Sequence, residues 1–399
     1  MELRRRQFVM GLGAVGLAQA LAPARSLAAP GPPFPELRAA GSPGTIGLAH
    51  GKTFAAAIKN NVGFYVGWLA KHMGTDGAGV LRAAHGFIPV LKEHQPALLE
   101  EMQAIARGAG RRLDEILAVN ARTDLKVVGN RLARREKHAA VTPGCTALAL
   151  LGKGRRGPLL ALGQNWDWHR ELARGTVLLR LRPKDGPALV TFTEAGMVGK
   201  IGFNEHRLGV CLNFLGHKSD DPDGPPGVPV HVLLRAVMGC RSLEEAYKLV
   251  AWSPRCASAN FPMAQHVPGT APAALDLELT PSALGRLPLR GDHLVHTNHF
   301  KSPALAPGCT SKHNRSTMNR DRVAEALSVK LGRSVPDPGA RMRQILADRQ
   351  GAPYSVSKTW AADSTSQTLA GIVMDLSRNR LHLCAGPPHA SRWISRPGV

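Results

Sequence analysis

Hydrophobic and polar positions follow two different patterns along this chain, and the change falls near residue 142. Apolar residues recur at spacings of three and four between Ile88 and Ile105, which draws a stripe along one face of a helix. The same helical spacing of apolar residues extends from about Ala39 to Lys137. We therefore predict a helical leader over these residues.

Beyond residue 142 the apolar runs are short and separated by Gly, Pro and charged residues, which is typical of strands in a buried sheet. We predict strands at 147–151, 159–162, 177–181, 188–192 and 210–214. Helices are expected at 230–238, 243–250, 316–331 and 340–347, followed by a strand hairpin at 371–376 and 380–384. Because strands and helices do not alternate strictly, the order favours a layered α+β sandwich over a doubly wound parallel sheet.

The first 29 residues have the composition of an export signal. A basic cluster is followed by an apolar stretch from Val9 to Ala22 and by small residues up to Ala29. The order Arg5-Arg6-Gln7-Phe8-Val9 resembles the twin-arginine signature, which is used by proteins exported in folded form. We expect a periplasmic or secreted protein, with an N-terminal anchoring helix as the alternative. No apolar run reaches the roughly 18 residues that span a bilayer, so no stable membrane insertion is expected.

The charge balance is strongly basic, with 51 Lys and Arg against 29 Asp and Glu and a net charge of +22. Such a balance suits nucleic-acid binding, because neutralised phosphates dominate that affinity. Aromatic residues make up only 5% of the chain, however, and no known recognition motif is present. We expect no nucleic-acid partner, and a polyanion-binding protein stays open as an alternative.

One cysteine stands where a strand is predicted to begin, in Gly144-Cys145-Thr146. A thiolate at Cys145 can attack the preceding carbonyl, which Gly144 leaves unhindered because it has no side chain. Hydrolysis of the resulting ester frees Cys145 as a chain terminus. Its α-amino group titrates near ~7.7–8.0 and so can act as base for its own thiol. By itself the pattern is more often that of a buried core cysteine.

A metal site is not expected from the histidines. His296 and His299 would point to opposite faces of a strand, and no cysteine or carboxylate pair joins them. The acidic run at 219–224 lacks the alternation and the distant Glu of a calcium loop. We expect neither a metal nor another cofactor.

Four motifs in order resemble the isopenicillin-N acyltransferase family of acyl-coenzyme A:6-aminopenicillanate acyltransferases, which are self-cleaving N-terminal-nucleophile cysteine hydrolases. They are Gly144-Cys145-Thr146, Gly-Gln-Asn-Trp-Asp-Trp at 163–168, the run at 193–204, and Val-His-Thr-Asn-His at 295–299. The similarity extends from about Gly47 to Cys384 and includes the leader segment at 117–123.

The resemblance implies a four-layer αββα sandwich and cleavage between Gly144 and Cys145. It divides the chain into a signal at 1–29, a helical α-chain segment at 30–144 and a catalytic β chain at 145–399. Cys145 is then the nucleophile, Asp167 positions its amine, and Asn298 donates to the oxyanion. A buried turn acceptor at Asp167 and a strand-end cap at Asn298 are the structural alternatives. The substrate pocket is expected to include Asn165, Asn213 and Ser364.

The sequence departs from the family at one position. Penicillin-type members carry an Arg directly after a Ser that Ser364 matches, and here that position is Thr365. The missing cation puts a penicillin substrate in doubt.

The sequence thus favours an exported, self-processed cysteine amidohydrolase or acyltransferase. It would act on a small N-acylated amine or peptide through an acyl thioester on Cys145. Acyl-coenzyme A-dependent transfer to an amine and a non-catalytic binding protein on the same fold are the alternatives.

Overall fold

The computed structural model describes residues 33–133, 144–155, 157–311, 313–360 and 366–399. The expected export signal at 1–29 and the pocket residue Ser364 lie outside these described residues, so both stay predictions. No helix in the described part of the chain is long and apolar enough to cross a membrane.

Strands begin before the helical leader and resume after it. In chain order they are β1 (Glu36–Gly41), β2 (Gly144–Gly154), β3 (Gly157–Trp168), β4 (Thr176–Pro183), β5 (Leu189–Glu194), β6 (Ile201–Asn204), β7 (Leu208–Val210), β8 (Asn213–Phe214), β9 (Ala259–Gln265), β10 (Ala273–Leu279), β11 (Leu284–Leu287), β12 (His293–His296), β13 (Gln367–Asp375), β14 (Arg380–Ala385) and β15 (Trp393–Pro397).

The helices fall into a leader group and two later pairs. They are α1 (Pro43–Thr53), α2 (Ala55–Met73), α3 (Gly77–His85), α4 (Ile88–His94), α5 (Pro96–Ala109), α6 (Leu113–Asn120), α7 (Arg122–Ala133), α8 (Val230–Val237), α9 (Leu243–Trp252), α10 (Arg315–Gly332) and α11 (Pro338–Leu346).

Two sheets form the centre of the molecule. The first has the order β1-β4-β5-β6-β7-β9-β10-β11, with β8 paired to β9, and the second has the order β12-β2-β3-β13-β14-β15. Neighbouring strands are antiparallel except β1 and β4, which pair in parallel. The sheets pack face to face where β2 and β3 meet β9 and where β13 meets β6.

Side-chain alternation in the second sheet fixes the layers. Along β2, Ala147 and Ala149 belong to the core between the sheets, whereas Leu148 and Leu150 pack with α10 and α11 on the other face. Helices α1 and α9 cover the first sheet, against β1 and β4 and against β9 and β10. The expected four-layer αββα sandwich of the α+β class is confirmed.

The structure corrects the sequence-based elements at a few points. The leader opens with β1 rather than a helix, because residues 36–41 pair in register with β4. The strand expected at 210–214 is divided into β7 and β8, and the strands β9 to β12 carry no signal strong enough to have been predicted. The hairpin between β13 and β14 lies where expected, and Asn379 takes the positive φ of 52° that its turn requires.

Candidate active site

The position of Cys145 follows from strand alternation. It shares the face of β2 with Ala147 and Ala149, so its side chain points between the two sheets. Its cross-strand partner on β3 is Trp166, and Gly144 pairs with Asp167. Cys145 is buried at the start of an inner strand, as the sequence predicts.

Two side chains hold the backbone of Cys145, and a third residue lies beside it. Its N–H donates to Asn298 Oδ1 at 2.8 Å. Its carbonyl accepts from a guanidinium nitrogen of Arg320. Asp167, the strand partner of Gly144, lies beside Cys145, and its backbone N–H lowers the pKa of the thiol. The structure therefore brings together all three predicted catalytic residues, and it adds an arginine that sequence reasoning missed.

Arg320 comes from the second turn of α10 and is fully buried. Besides the Cys145 carbonyl, its Nη1 donates to Thr146 Oγ1 at 3.1 Å, and its Nη2 donates to Asn298 Oδ1 at 2.9 Å. Its Nε lies 3.3 Å from Ser316 Oγ, one turn earlier in the helix. The planar guanidinium thus fixes the nucleophile and Asn298 in one arrangement.

Asp167 lies on the opposite face of β3 from the thiol, beside the bond expected to be cleaved. A Cβ placed on Gly144 would approach Asp167 Oδ2 to 2.4 Å, so only glycine fits there without a shift. Oδ1 accepts from Thr368 Oγ1 at 2.6 Å, while Oδ2 has no hydrogen-bond partner among the described residues. Burial raises the pKa of this carboxyl, against Arg320 and Lys358, which lower it.

The Cys145 thiol is not activated in the continuous chain. Burial raises its pKa to about 11, and the Asp167 carboxylate adds to the rise, while Lys200 and Arg320 oppose it. A thiol in this state is almost fully protonated at neutral pH. A base close to the sulfur is needed before the site can work efficiently as a nucleophile.

Asn298 acts as an acceptor toward Cys145 in this structure. Two donors, the Cys145 N–H and Arg320, converge on its Oδ1, which fixes the orientation of the amide. Its Nδ2 donates to the Phe214 carbonyl at 2.9 Å. The role as oxyanion donor stays a prediction, and it requires this amide hydrogen bond to be exchanged for one to substrate.

The histidines around Asn298 are structural partners. Strand β12 ends at His296, so His296 and His299 do not alternate across it; their rings stack with centroids 6.4 Å apart, and the expectation of opposite faces is wrong. His296 Nε2 bonds Glu278 Oε1 at 2.8 Å, and His299 Nδ1 bonds Thr317 Oγ1 at 3.0 Å. Within the described ranges, no cluster of three or more His, Cys, Asp or Glu side chains is arranged to hold a metal.

Asn165 is placed on the helical side of the second sheet. Its Nδ2 donates to the carbonyls of Leu346 at 2.7 Å and Val356 at 2.9 Å. These bonds tie β3 to the end of α11 and to the chain after it. The structure does not bring its amide nitrogen to the thiol.

Asn213 lies closer to the site, in β8 beside the Phe214 carbonyl that holds Asn298. Its Nδ2 donates to Asn260 Oδ1 at 2.7 Å. Its Oδ1 is buried without a hydrogen-bond partner in the described structure. A contact with substrate stays a prediction for this residue.

A buried carboxylate, that of Glu194, is linked to the site through Lys200, which contacts Trp166. Glu194 accepts from the Tyr65 hydroxyl, from Arg122 Nη2 at 3.2 Å and from Lys200 Nζ at 2.9 Å. Lys200 Nζ also stands 3.1 Å from the centre of the Trp166 ring. Burial alone raises the pKa of Glu194, but the two cations bring it below its usual value, and burial lowers the pKa of Lys200 to about 7. The motif at 193–204 contains both residues, and nothing in the sequence indicated this pairing.

Comparison with known families decides the affiliation. Residues 153–390 match the model of the acyl-coenzyme A:6-aminopenicillanic acid acyl-transferase family. The chain belongs to this family. The match begins after Cys145, so it includes Asp167 and Asn298 but not the Gly144–Cys145 pair. Membership makes the protein an enzyme of the acyltransferase type.

A curated protein supports the same affiliation. The 40 kDa form of acyl-coenzyme A:6-aminopenicillanic-acid-acyltransferase from Emericella nidulans is 27% identical over 321 residues, which is 80% of this chain and 79% of that protein. This alignment is long enough to extend beyond the family match.

Solved structures with some likeness are acylases and hydrolases. A mutant of the conjugated bile acid hydrolase from Clostridium perfringens has a TM-score of 0.42 at 14% identity, covering 63% of this chain and 92% of that one. Penicillin V acylase from Agrobacterium tumefaciens has a TM-score of 0.37 at 14% identity, covering 63% and 86%.

Proposed function

We propose that this acyltransferase-family member is an exported cysteine amidohydrolase that activates itself by cleaving its own chain at Gly144–Cys145. One observation carries the proposal: the backbone nitrogen of Cys145 is held by Asn298 Oδ1 at 2.8 Å. Cleavage turns this same nitrogen into an α-amino group. If this amine keeps its hydrogen bond to Asn298, it stays beside the thiol that it has to deprotonate.

Self-cleavage requires a nitrogen-to-sulfur acyl shift. The sulfur of Cys145 attacks the Gly144 carbonyl carbon, the carbon–nitrogen bond breaks, and the nitrogen takes up the thiol proton as an amine. Water then hydrolyses the thioester, which leaves a carboxylate on Gly144 and a free thiol on Cys145. The Asp167 carboxyl beside Gly144 is placed to receive a proton from that water.

The mature site repeats the same chemistry on substrate. The α-amino group of Cys145 takes the thiol proton, and the sulfur attacks the acyl carbon of an amide. The proton then passes to the leaving amine, and water hydrolyses the acyl thioester on Cys145. Arg320 and Asn298 keep the nucleophile in place throughout, because both contact its backbone.

Export bears on whether water or an amine accepts the acyl group from Cys145. A twin-arginine-type segment at 5–9 directs a folded protein out of the cytoplasm, where acyl-coenzyme A is made. Hydrolysis of a small N-acylated amine or peptide is therefore preferred. Acyl-coenzyme A-dependent transfer stays the second candidate, because the family and the Emericella nidulans relative are named for it.

The two products of cleavage should remain associated. Asn61 in α2 donates to the carbonyls of Gly175 at 3.1 Å and Ala195 at 3.0 Å, and Arg122 in α7 is paired with Glu194. These buried contacts join the helical segment to the β-chain segment. Breaking them would leave unpaired polar groups in the core.

The first test of the activity is a screen of N-acylated amines and amino acids with the purified protein, following release of the amine. We expect turnover by the wild type and none by Cys145→Ala, with an acyl adduct on the wild type visible as added mass in quenched reactions. Acyl-coenzyme A with a free amine is assayed in parallel. Amide product from that pair, without hydrolysis of any N-acyl compound, would make transfer the main activity. A wild type inactive in both assays would favour the binding-protein alternative.

A further inference from the structure

A narrow cavity lies directly in front of the Cys145 thiol. Trp166, Trp168 and Phe214 form its aromatic walls, and α7 closes one side with Arg122 and Lys126. In the uncleaved chain it has a volume of about 30 Å³, which is room for a water molecule only. Cys145 is among the residues that line this space, so substrate that reaches the thiol through it has to enter here in the processed enzyme.

The cavity wall carries more positive than negative charge. Arg122 and Lys126 are one helical turn apart, so both head groups lie on the same face of α7, and both residues are buried, with 5% and 7% of their surface exposed. Arg122 shares the carboxylate of Glu194 with Lys200. Lys126 has no carboxylate partner among the described residues, and its Nζ stands 4.4 Å from the centre of the Phe214 ring.

Asp124, the one acidic residue of α7, does not balance the charge. Asp124 points away from the cavity, toward the Val230 N–H at 3.2 Å and the Cys256 sulfur at 3.4 Å. Burial raises its pKa to about 7, so its carboxyl is substantially neutral near pH 7. Among the described residues Lys126 therefore has no counter-charge, and burial together with Arg122 lowers its pKa to about 8.

A buried cation without a partner is costly, so it marks a place where an anion binds. The cations that lower the pKa of Cys145 most are Lys200 and Arg320, so Lys126 is not the main counter-charge of its thiolate. The remaining anion is one that arrives with the substrate. A carboxylate between Lys126 and Arg122 would lie within the same cavity as the reacting sulfur.

We propose that the substrates are N-acyl amino acids, whose carboxylate is bound by Lys126 and Arg122 while their apolar part packs on the tryptophans. This proposal rests on the proposed amidase function and narrows its substrate class. It also makes α7, which belongs to the α-chain segment, the source of specificity for a nucleophile carried by the β chain.

The test uses substrates in matched pairs that differ only in charge, such as phenylacetylglycine and octanoylglycine with their glycinamide counterparts. We expect the processed wild type to favour the acid by about tenfold or more in kcat/KM. Lys126→Met should lower that ratio at least about tenfold, and Lys126→Arg should keep most of it. Lys59→Met, at an exposed position of α2, should leave the ratio unchanged. A wild type that favours the amides, or a ratio that Lys126→Met does not move, overturns the proposal.

A binding measurement tests the anion site independently of the proposed amidase function. The tryptophans of the cavity report ligand by fluorescence, so phenylacetylglycine and phenylacetylglycinamide are titrated into the processed wild type and Lys126→Met. If nothing is hydrolysed, yet the acid alone quenches the wild type and the variant loses that response, the amidase function fails and the anion site stands. Equal quenching by acid and amide in both proteins rejects the site.

Discussion

Replacing Arg320 by methionine is expected to leave the chain uncleaved on the timescale on which the wild type is fully processed. The guanidinium donates to the Cys145 carbonyl and to Asn298 Oδ1. Without it, the Cys145 carbonyl loses its donor, and Asn298 Oδ1 loses one of the two donors that fix its orientation. Misplacing reacting groups by about 1 Å costs about a hundredfold in rate, and we expect at least that loss in self-cleavage. The measurement is the fraction of cleaved chain against time after purification.

Two further variants make this result specific. Arg320→Lys keeps a cation but not the planar fork that reaches two acceptors, so it should cleave at an intermediate rate. Arg322→Met removes an exposed arginine of the same helix, which bonds Asn319 in the described structure, and this variant should cleave like the wild type. Thermal unfolding of each variant checks that it is folded. Normal cleavage by a folded Arg320→Met protein would remove Arg320 from the mechanism.

Replacing Glu194 by alanine is expected to cause the largest loss of stability, about 3–5 kcal/mol in the free energy of unfolding. The carboxylate is fully buried and pairs with Arg122 and Lys200, both also buried. Its removal leaves two cations in the core with no counter-charge. Tyr65 loses its acceptor as well.

The measurement is urea unfolding in a Cys145→Ala background, where the uncleaved chain unfolds as one molecule. Glu205→Ala, at an exposed turn, is the matched control and should change stability by less than about 0.5 kcal/mol. Adding Lys200→Met to Glu194→Ala should recover part of the loss, because one unpaired cation is removed. A loss below about 1 kcal/mol for Glu194→Ala would mean that the pair is not the stabilising contact we describe.

The sequence was most informative where local pattern and chemistry coincide. Short apolar runs at 147–151 and 159–162 predict two strands, and the structure pairs these strands, with Cys145 opposite Trp166 on the face between the sheets. Asn314 caps α10 by accepting from the N–H groups of Ser316 and Thr317, so the start of that helix is also a local property. These features depend on neighbours in the chain.

The arginine of the site was beyond prediction for the opposite reason. Arg320 is one of many basic residues in the chain, and its contact with Cys145 spans 175 positions of sequence. Arg122 and Lys200 likewise meet at Glu194 only after the leader has packed on the first sheet. The resemblance placed Arg122 and Lys200 in recognised segments without giving them a role, and Arg320 lies outside those segments. The family's Arg is absent at position 365, and the arginine beside Cys145 in this chain comes from α10.

The most direct test of the account is the intact mass of the purified wild type beside Cys145→Ala, with sequencing of the N-terminus of the larger piece. We predict two pieces from the wild type, the larger beginning at Cys145, and a single chain from the variant. Cys309→Ala, which alters the other Gly-Cys-Thr triplet, should be cleaved like the wild type. A wild type that stays whole, or a Cys145→Ala protein cut at the same bond, would contradict the assignment of Cys145 as the nucleophile.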